Sequence, residues 1–212
     1  MNSNFARLIT GTHAYPITDR QLSGLSHVEQ VAKLADAGAT LIQLRDKLAQ
    51  PREFYEEARA ALDVARARNV KLIINDRVDI ALALKADGVH LGQDDLPPAA
   101  ARSILGPHAI IGFSTHSLDH AGRALDLPID YIAIGPIFAT TTKLSSNAPV
   151  GLSGLAEVRS LVGERPLVAI GGITAENIQA VLAAGADLGA FISDIWHPDG
   201  LVNPKISQIL RS

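Results

Sequence analysis

Short apolar runs recur along the chain at intervals of roughly two dozen residues, and segments with helical spacing fill most of the gaps. There are eight runs: Ala14-Tyr15-Pro16-Ile17, Leu41-Ile42-Gln43-Leu44, Leu72-Ile73-Ile74, Gly88-Val89-His90-Leu91, Ile110-Ile111-Gly112-Phe113, Tyr131-Ile132-Ala133-Ile134, Leu167-Val168-Ala169-Ile170 and Leu188-Gly189-Ala190-Phe191-Ile192. Between them, residues 26–37 carry Val28, Val31, Leu34 and Ala35 on one helical face and stop at Gly38. Pro51 opens the longest helix, with Phe54, Ala58, Leu62 and Ala65 on one side and Glu53, Glu56 and Glu57 on the other. Residues 78–86 form another helical patch, and Thr174 reads as the N-cap of a helix that Gly185 closes.

Strands that alternate with helices pair in parallel through crossovers. The phrases AGAT-LIQL, KADG-VHLG and AGAD-LGAF each join a helix end to the next strand through small residues. Eight such units in 212 residues, with no GxGxxG after the first strand, favour a single-domain α/β fold of the (β/α)8 TIM-barrel type spanning residues 1–212. In such a barrel the active site lies at the C-terminal ends of the strands. Most polar residues of interest follow the runs: 43–47, 75–76, 94–95, 114–116, 135–143, 171–172 and 193–194.

Composition narrows the chemistry. A net charge of −3 offers no basic footprint for nucleic acid and no polybasic membrane signal. Zero cysteines exclude disulfides and thiolate catalysis, and the start of the chain lacks the apolar core of a signal peptide. No apolar run reaches the ~18 residues of a membrane span, so a cytoplasmic location is expected. Oligomeric state leaves no mark in the sequence.

Asp76 and Asp95 end two neighbouring strands, a place from which two carboxylates could hold Mg2+, which takes one or two carboxylates plus phosphate oxygens. Strand-end aspartates also cap helices or pair with cations such as Arg77 and Lys85. Arg45 and Lys47 alternate, so they point the same way, and Lys143 follows Thr140, Thr141 and Thr142 in a long loop. Guanidinium, ammonium, hydroxyls and loop amides all grip phosphoryl oxygens. With a divalent cation these charges make the rim positive and suited to a polyanion such as pyrophosphate. Gly171 and Gly172, with Ile192 and Ser193, stand where many barrels bind phosphate through backbone amides. Their alternative reading is a pair of tight-turn glycines. His116 and His120 lack the glutamate of a zinc-protease helix and read as a helix start at the surface, while His90 reads as a satisfied core histidine. No Ser-His-Asp or Cys-His signature is present.

The strings QLRDK at 43–47, IINDRVDIALALKADGVHLGQDDLP at 73–97, IGFSTH at 111–116, GPIFATTTK at 135–143, VGLSGL at 150–155 and AIGGITAENI at 169–178 resemble the thiamine phosphate synthases. The resemblance implies a transferase of thiamine biosynthesis that joins a hydroxymethylpyrimidine diphosphate to a thiazole phosphate and releases pyrophosphate. It implies that Gln43, Leu44, Arg45, Asp46, Lys47, Asn75, Ser114 and Lys143 meet the pyrimidine diphosphate. Thr140, Thr141, Thr142, Gly172, Ile192 and Ser193 would hold the thiazole phosphate, and Asp76 and Asp95 would bind Mg2+. Catalysis would rest on Arg45, Lys47, Ser114 and Lys143. The implied partners are these two small molecules. Asp194 stands where the family usually carries a small residue, and an acid repels a phosphate unless it points away. A thiazole tautomerase has no leaving pyrophosphate to stabilise, so Arg45, Lys47, Asp76, Asp95 and Lys143 count against it. They count equally against a non-catalytic phosphate-binding barrel.

Overall fold

The structure is a computed structural model that describes residues 4–140, 148–197 and 199–211. It opens with α1 (Asn4–Leu8), β1 (Ala14–Pro16), α2 (Arg20–Ser23) and α3 (His27–Asp36). There follow β2 (Leu41–Leu44), α4 (Pro51–Ala67), β3 (Lys71–Asn75), α5 (Val78–Leu84), β4 (Gly88–Leu91) and α6 (Pro98–Leu105). The second half comprises β5 (Ile110–Thr115), α7 (Leu118–Ala124), β6 (Tyr131–Ile134), α8 (Gly151–Val162), β7 (Leu167–Ile170), α9 (Ile178–Ala183), β8 (Leu188–Phe191) and α10 (Pro204–Ile209). The strands are parallel in the order β1-β8-β7-β6-β5-β4-β3-β2. A bridge between Ile17 and Gln43, with Thr18 N donating to Gln43 O at 2.9 Å, joins β1 to β2 and closes the expected (β/α)8 barrel.

Both faces of each strand are covered, which explains runs that are almost continuously apolar rather than alternating. Ile42, Leu44, Leu72, Ile74, Val89, Leu91, Ile111 and Ile132 face outward into the core shared with the helices. Tyr15, Ile17, Leu41, Ile73, Ile110, Tyr131, Val168 and Leu188 form a separate core inside the barrel. Phe5 of α1 belongs to that inner core and stacks on Tyr131 at 4.3 Å between ring centres, so α1 covers the end opposite the active-site rim.

Helix starts and stops follow local chemistry. Ser26 caps α3 in a reciprocal box with Glu29, its side chain accepting from Glu29 N while Glu29 accepts from Ser26 N. Ser26→Ala should lower stability by about 1 kcal/mol, seen as a lower denaturant midpoint at unchanged slope. The expected cap at Thr174 is not formed: α9 begins later, at Ile178. Asn177 Oδ1 takes the Thr174 N–H at 2.9 Å and Asp194 takes the Ala175 N–H at 2.7 Å, so side chains from further along the chain do the work of a cap there. Among the described residues, no helix is long and apolar enough to cross a membrane.

Candidate active site

Strand geometry sorts residues 43–47 by parity, because successive side chains leave a strand on opposite faces. Gln43, Arg45 and Lys47 line a cavity at the barrel mouth together with Asn75, Asp76, His90, Asp95 and Ser114. Leu44 and Asp46, expected among the substrate contacts, turn the other way. Leu44 is fully buried in the outer core. Asp46 accepts from Leu48 N and Ala49 N at 3.0 and 2.9 Å and lies 3.3 Å from His27 Nε2. His27 Nδ1 in turn meets Thr18 Oγ1 at 2.9 Å, and that hydroxyl accepts from Arg45 N at 3.2 Å. Asp46 thus fixes the backbone that aims Arg45 rather than lining the mouth. Burial lowers the His27 imidazole from its ordinary value despite the nearby Asp46 carboxylate.

Arg45 reaches Asp19 with Nη1 to Oδ2 at 3.1 Å, and Lys47 pairs with Asp76. Arg45 and Lys47 also border a wider cleft of about 540 Å³, outside the mouth cavity, that Asp46 lines with Asp19, Arg20, Ser26 and Glu53. The mouth cavity is smaller, about 140 Å³, but the inward polar groups of β2 to β5 converge there, and that convergence makes it the candidate site.

Asp76 has a φ of +61°, the left-handed region that Asp tolerates better than most residues. Its N–H donates to His90 O at 2.8 Å, which ties the end of β3 to β4. Asp76 does not cap α5, and its cation partner is Lys47 rather than Arg77, which is taken by Asp79 at 2.8 and 2.5 Å. Asp95 accepts from Gly92 N at 2.6 Å. Burial, followed by a hydrogen bond to Asp76 and repulsion from it, raises the Asp95 carboxyl above its usual range. The two carboxylates therefore meet, and no third Asp, Glu, His or Cys joins them in a metal-holding cluster among the described residues.

On the far wall, Pro136, Ile170, Ile173, Ala190 and Ile192 make the cavity apolar, with Gly171, Gly172, Thr140 and Ser193 at its edge. Gly171 has a φ of +95°, and a β-carbon there would fall 2.6 Å from Pro136 Cα. Asp194 points its carboxylate at Ala175 N, so it is engaged with the loop after β7 and does not line the cavity. Thr141, Thr142 and Lys143 lie outside the described residues.

His90 is buried and doubly bonded, Nδ1 to Tyr131 OH at 2.9 Å and Nε2 to Ser114 Oγ at 2.8 Å, yet it also lines the cavity. His116 is half-buried rather than superficial: its Nδ1 meets Gly135 O at 2.7 Å and it borders the same cavity. Parity from Gly112 and Ser114 was the signal for this inward direction. His120 is also half-buried, its ring 6.3 Å from that of His116.

Fold and mouth together define a TIM-barrel enzyme with a cation-rimmed cavity and paired carboxylates, a class suited to phosphorylated small molecules. The sequence profile of the thiamine monophosphate synthase family matches residues 14–195. A thiamine-phosphate synthase from Azorhizobium caulinodans is 49% identical over 182 residues, covering 84% of each chain. One from Vibrio parahaemolyticus is 44% identical over 201 residues, covering 93% of this chain and 96% of the relative. The solved thiamine phosphate pyrophosphorylase of Pyrococcus furiosus superposes with a TM-score of 0.85 at 36% identity, covering 96% of this chain and 97% of that one. The chain belongs to the thiamine monophosphate synthase family.

Proposed function

We propose that the protein is a thiamine-phosphate synthase, a transferase joining 4-amino-2-methyl-5-hydroxymethylpyrimidine diphosphate to 4-methyl-5-(2-phosphoethyl)thiazole, or its carboxylated form, with release of pyrophosphate. The observation that carries this reading is the meeting of Arg45, Lys47, Asp76 and Asp95 beside the inward polar row Gln43, Asn75, His90 and Ser114. Gln43, Arg45, Lys47, Asn75, Ser114 and Lys143 take the pyrimidine diphosphate, and the apolar wall of Ile170, Ile173 and Ala190 receives its ring. Thr140, Thr141, Thr142, Gly172, Ile192 and Ser193 take the thiazole phosphate.

The pair Asp76 and Asp95 fits Mg2+. Both carboxylates line the mouth cavity and offer hard oxygens, and Mg2+ takes one or two carboxylates together with phosphate oxygens and water; burial first, and then Asp76, raise the Asp95 carboxyl. When bound, Mg2+ supplies neutralising charge for the leaving phosphoryl oxygens. Arg45, Lys47 and Lys143 hold the diphosphate as its bond to the pyrimidine methylene breaks, and Ser114 donates to it. The aminopyrimidine ring spreads the methylene cation, and the thiazole nitrogen, which carries a lone pair and no proton, then closes the new bond. Positioning and fixed charge suffice for such chemistry, so no general base is needed. Small diffusible substrates agree with a cytoplasmic location.

The test is pyrophosphate release with both substrates present. Activity should require each substrate, vanish with EDTA and return with Mg2+. Absence of pyrophosphate from the two substrates with Mg2+ present would remove the proposal.

A further inference from the structure

One hydrogen-bonded row crosses the barrel interior from β2 to β5 by way of β1, β6 and β4. Gln43 Nε2 donates to Tyr15 OH at 3.3 Å, and Tyr15 OH meets Tyr131 OH at 3.1 Å. Tyr131 OH meets His90 Nδ1 at 2.9 Å, and His90 Nε2 meets Ser114 Oγ at 2.8 Å. Tyr15 and Tyr131 are 1% and 0% exposed, so water does not relieve them. Burial pushes both phenols upward, so each keeps a hydrogen that must be given to a neighbour. A buried hydrogen left without an acceptor is costly, and so are two hydrogens, or two lone pairs with no hydrogen between them, facing each other at 3.1 Å.

With a neutral imidazole, these conditions leave two arrangements. In the first, every hydrogen runs from Gln43 toward Ser114. Tyr15 gives to Tyr131, Tyr131 gives to His90 Nδ1, and His90 Nε2–H gives to Ser114 Oγ. The Ser114 hydrogen is then free for the cavity, and the Gln43 carbonyl oxygen faces it too. In the second, the Gln43 amide is turned over and every bond reverses. Ser114 then spends its hydrogen on His90, and Gln43 offers its NH2 to the cavity. Gln43 and Ser114 both line the cavity, so the two arrangements present opposite chemistry to a ligand.

We propose that Tyr131, with Tyr15 and His90, is a positioning residue that locks these two ends together: when Ser114 donates to a phosphoryl oxygen, Gln43 must present an acceptor. An anion at one end and an amino group at the other are thereby read as a pair. The choice of ligand rests on the function proposed above, while the polarity of the row rests on the interior geometry alone.

Two measurements test it. In 15N-histidine-labelled protein saturated with inorganic pyrophosphate, His90 should be the Nε2–H tautomer, with Nδ1 an acceptor; its signal is assigned by loss in His90→Gln. A protonated Nδ1 under saturating pyrophosphate would mean that the row does not leave the Ser114 hydrogen for the anion with Gln43 as acceptor, and overturns the paired reading proposed here. The second measurement is a binding cycle for the pyrimidine diphosphate, combining Ser114→Ala and Gln43→Leu with Tyr131 intact and again in Tyr131→Phe, which keeps the ring stacked on Phe5. The two substitutions should be non-additive by about threefold to tenfold with Tyr131 present, and additive without it. Equal coupling in both backgrounds, or none in either, overturns the proposal. Failure of the unsubstituted protein to bind the pyrimidine diphosphate counts against the function reading, and the tautomer measurement then decides the row by itself.

Discussion

Asp95→Asn is expected to lower kcat/KM for pyrophosphate release by about a hundredfold to a thousandfold, the scale of losing one fixed charge-stabilising group in a catalytic site, without loss of stability in metal-free buffer. Asn can still accept the Gly92 N–H now held at 2.6 Å. What it removes is a carboxylate pressed against Asp76. The Asp95 carboxyl is raised by burial and by Asp76, so the folded protein binds that proton more tightly than the unfolded chain does. The stability it contributes is therefore full below the unfolded value and is lost as pH rises through the folded one. At pH 7 with EDTA the variant should melt at or above the temperature of the unsubstituted protein, and this advantage should shrink as the pH falls. Adding Mg2+ should raise the melting temperature of the unsubstituted protein, since a ligand bound only by the folded state stabilises it, and should do less for the variant. Undiminished turnover in Asp95→Asn would sink the metal assignment.

The architecture was legible because each strand is covered on both sides. Leu41–Leu44 and Leu167–Ile170 announce themselves as apolar runs wherever they sit in the barrel. Period-two geometry made part of the mouth readable as well: Arg45 and Lys47 share a direction, and the same rule carries Gln43 inward and Leu44 and Asp46 outward. Taking 43–47 as one block blurred that distinction. Asp46 could not be placed from sequence because its partners, His27 and Arg20, come from the connection between β1 and β2. The same holds for Asp19 beside Arg45, for the Asp194 carboxylate on Ala175 N and for the Tyr15–Tyr131 contact, whose members are 116 residues apart. Long-range pairs of this kind have no local signature, whereas the inward turn of His116 did have one in its parity with Ser114.

Gly171→Ala should be among the most damaging small substitutions at the mouth, because two independent penalties fall on one methyl group. The first is conformational: an alanine at φ +95° lies in backbone space that L-residues rarely adopt, at about 1–2 kcal/mol. The second is steric. The new β-carbon would sit 2.6 Å from both Cα and Cβ of Pro136 and 3.3 Å from Ile137 N, atoms of a backbone that cannot swing aside like a surface side chain. Overpacking of this kind costs about 1–3 kcal/mol. The displaced strip is the one that docks on β7 through Ile137 N to Ile170 O at 2.9 Å and Phe138 N to Gly171 O at 3.0 Å, and it leads directly into Thr140. Stability and thiazole-phosphate binding should therefore fall together, with a melting temperature lower by roughly 5–15 °C for a chain of this size and a KM for the thiazole phosphate raised more than that for the pyrimidine diphosphate. Gly24→Ala supplies the control: its φ is +68° but nothing lies within 4 Å of the added carbon, so it bears the conformational penalty alone. Equal destabilisation by the two substitutions would show that Pro136 yields to the methyl group, and an unchanged thiazole-phosphate KM in Gly171→Ala would separate this turn from the phosphate pocket.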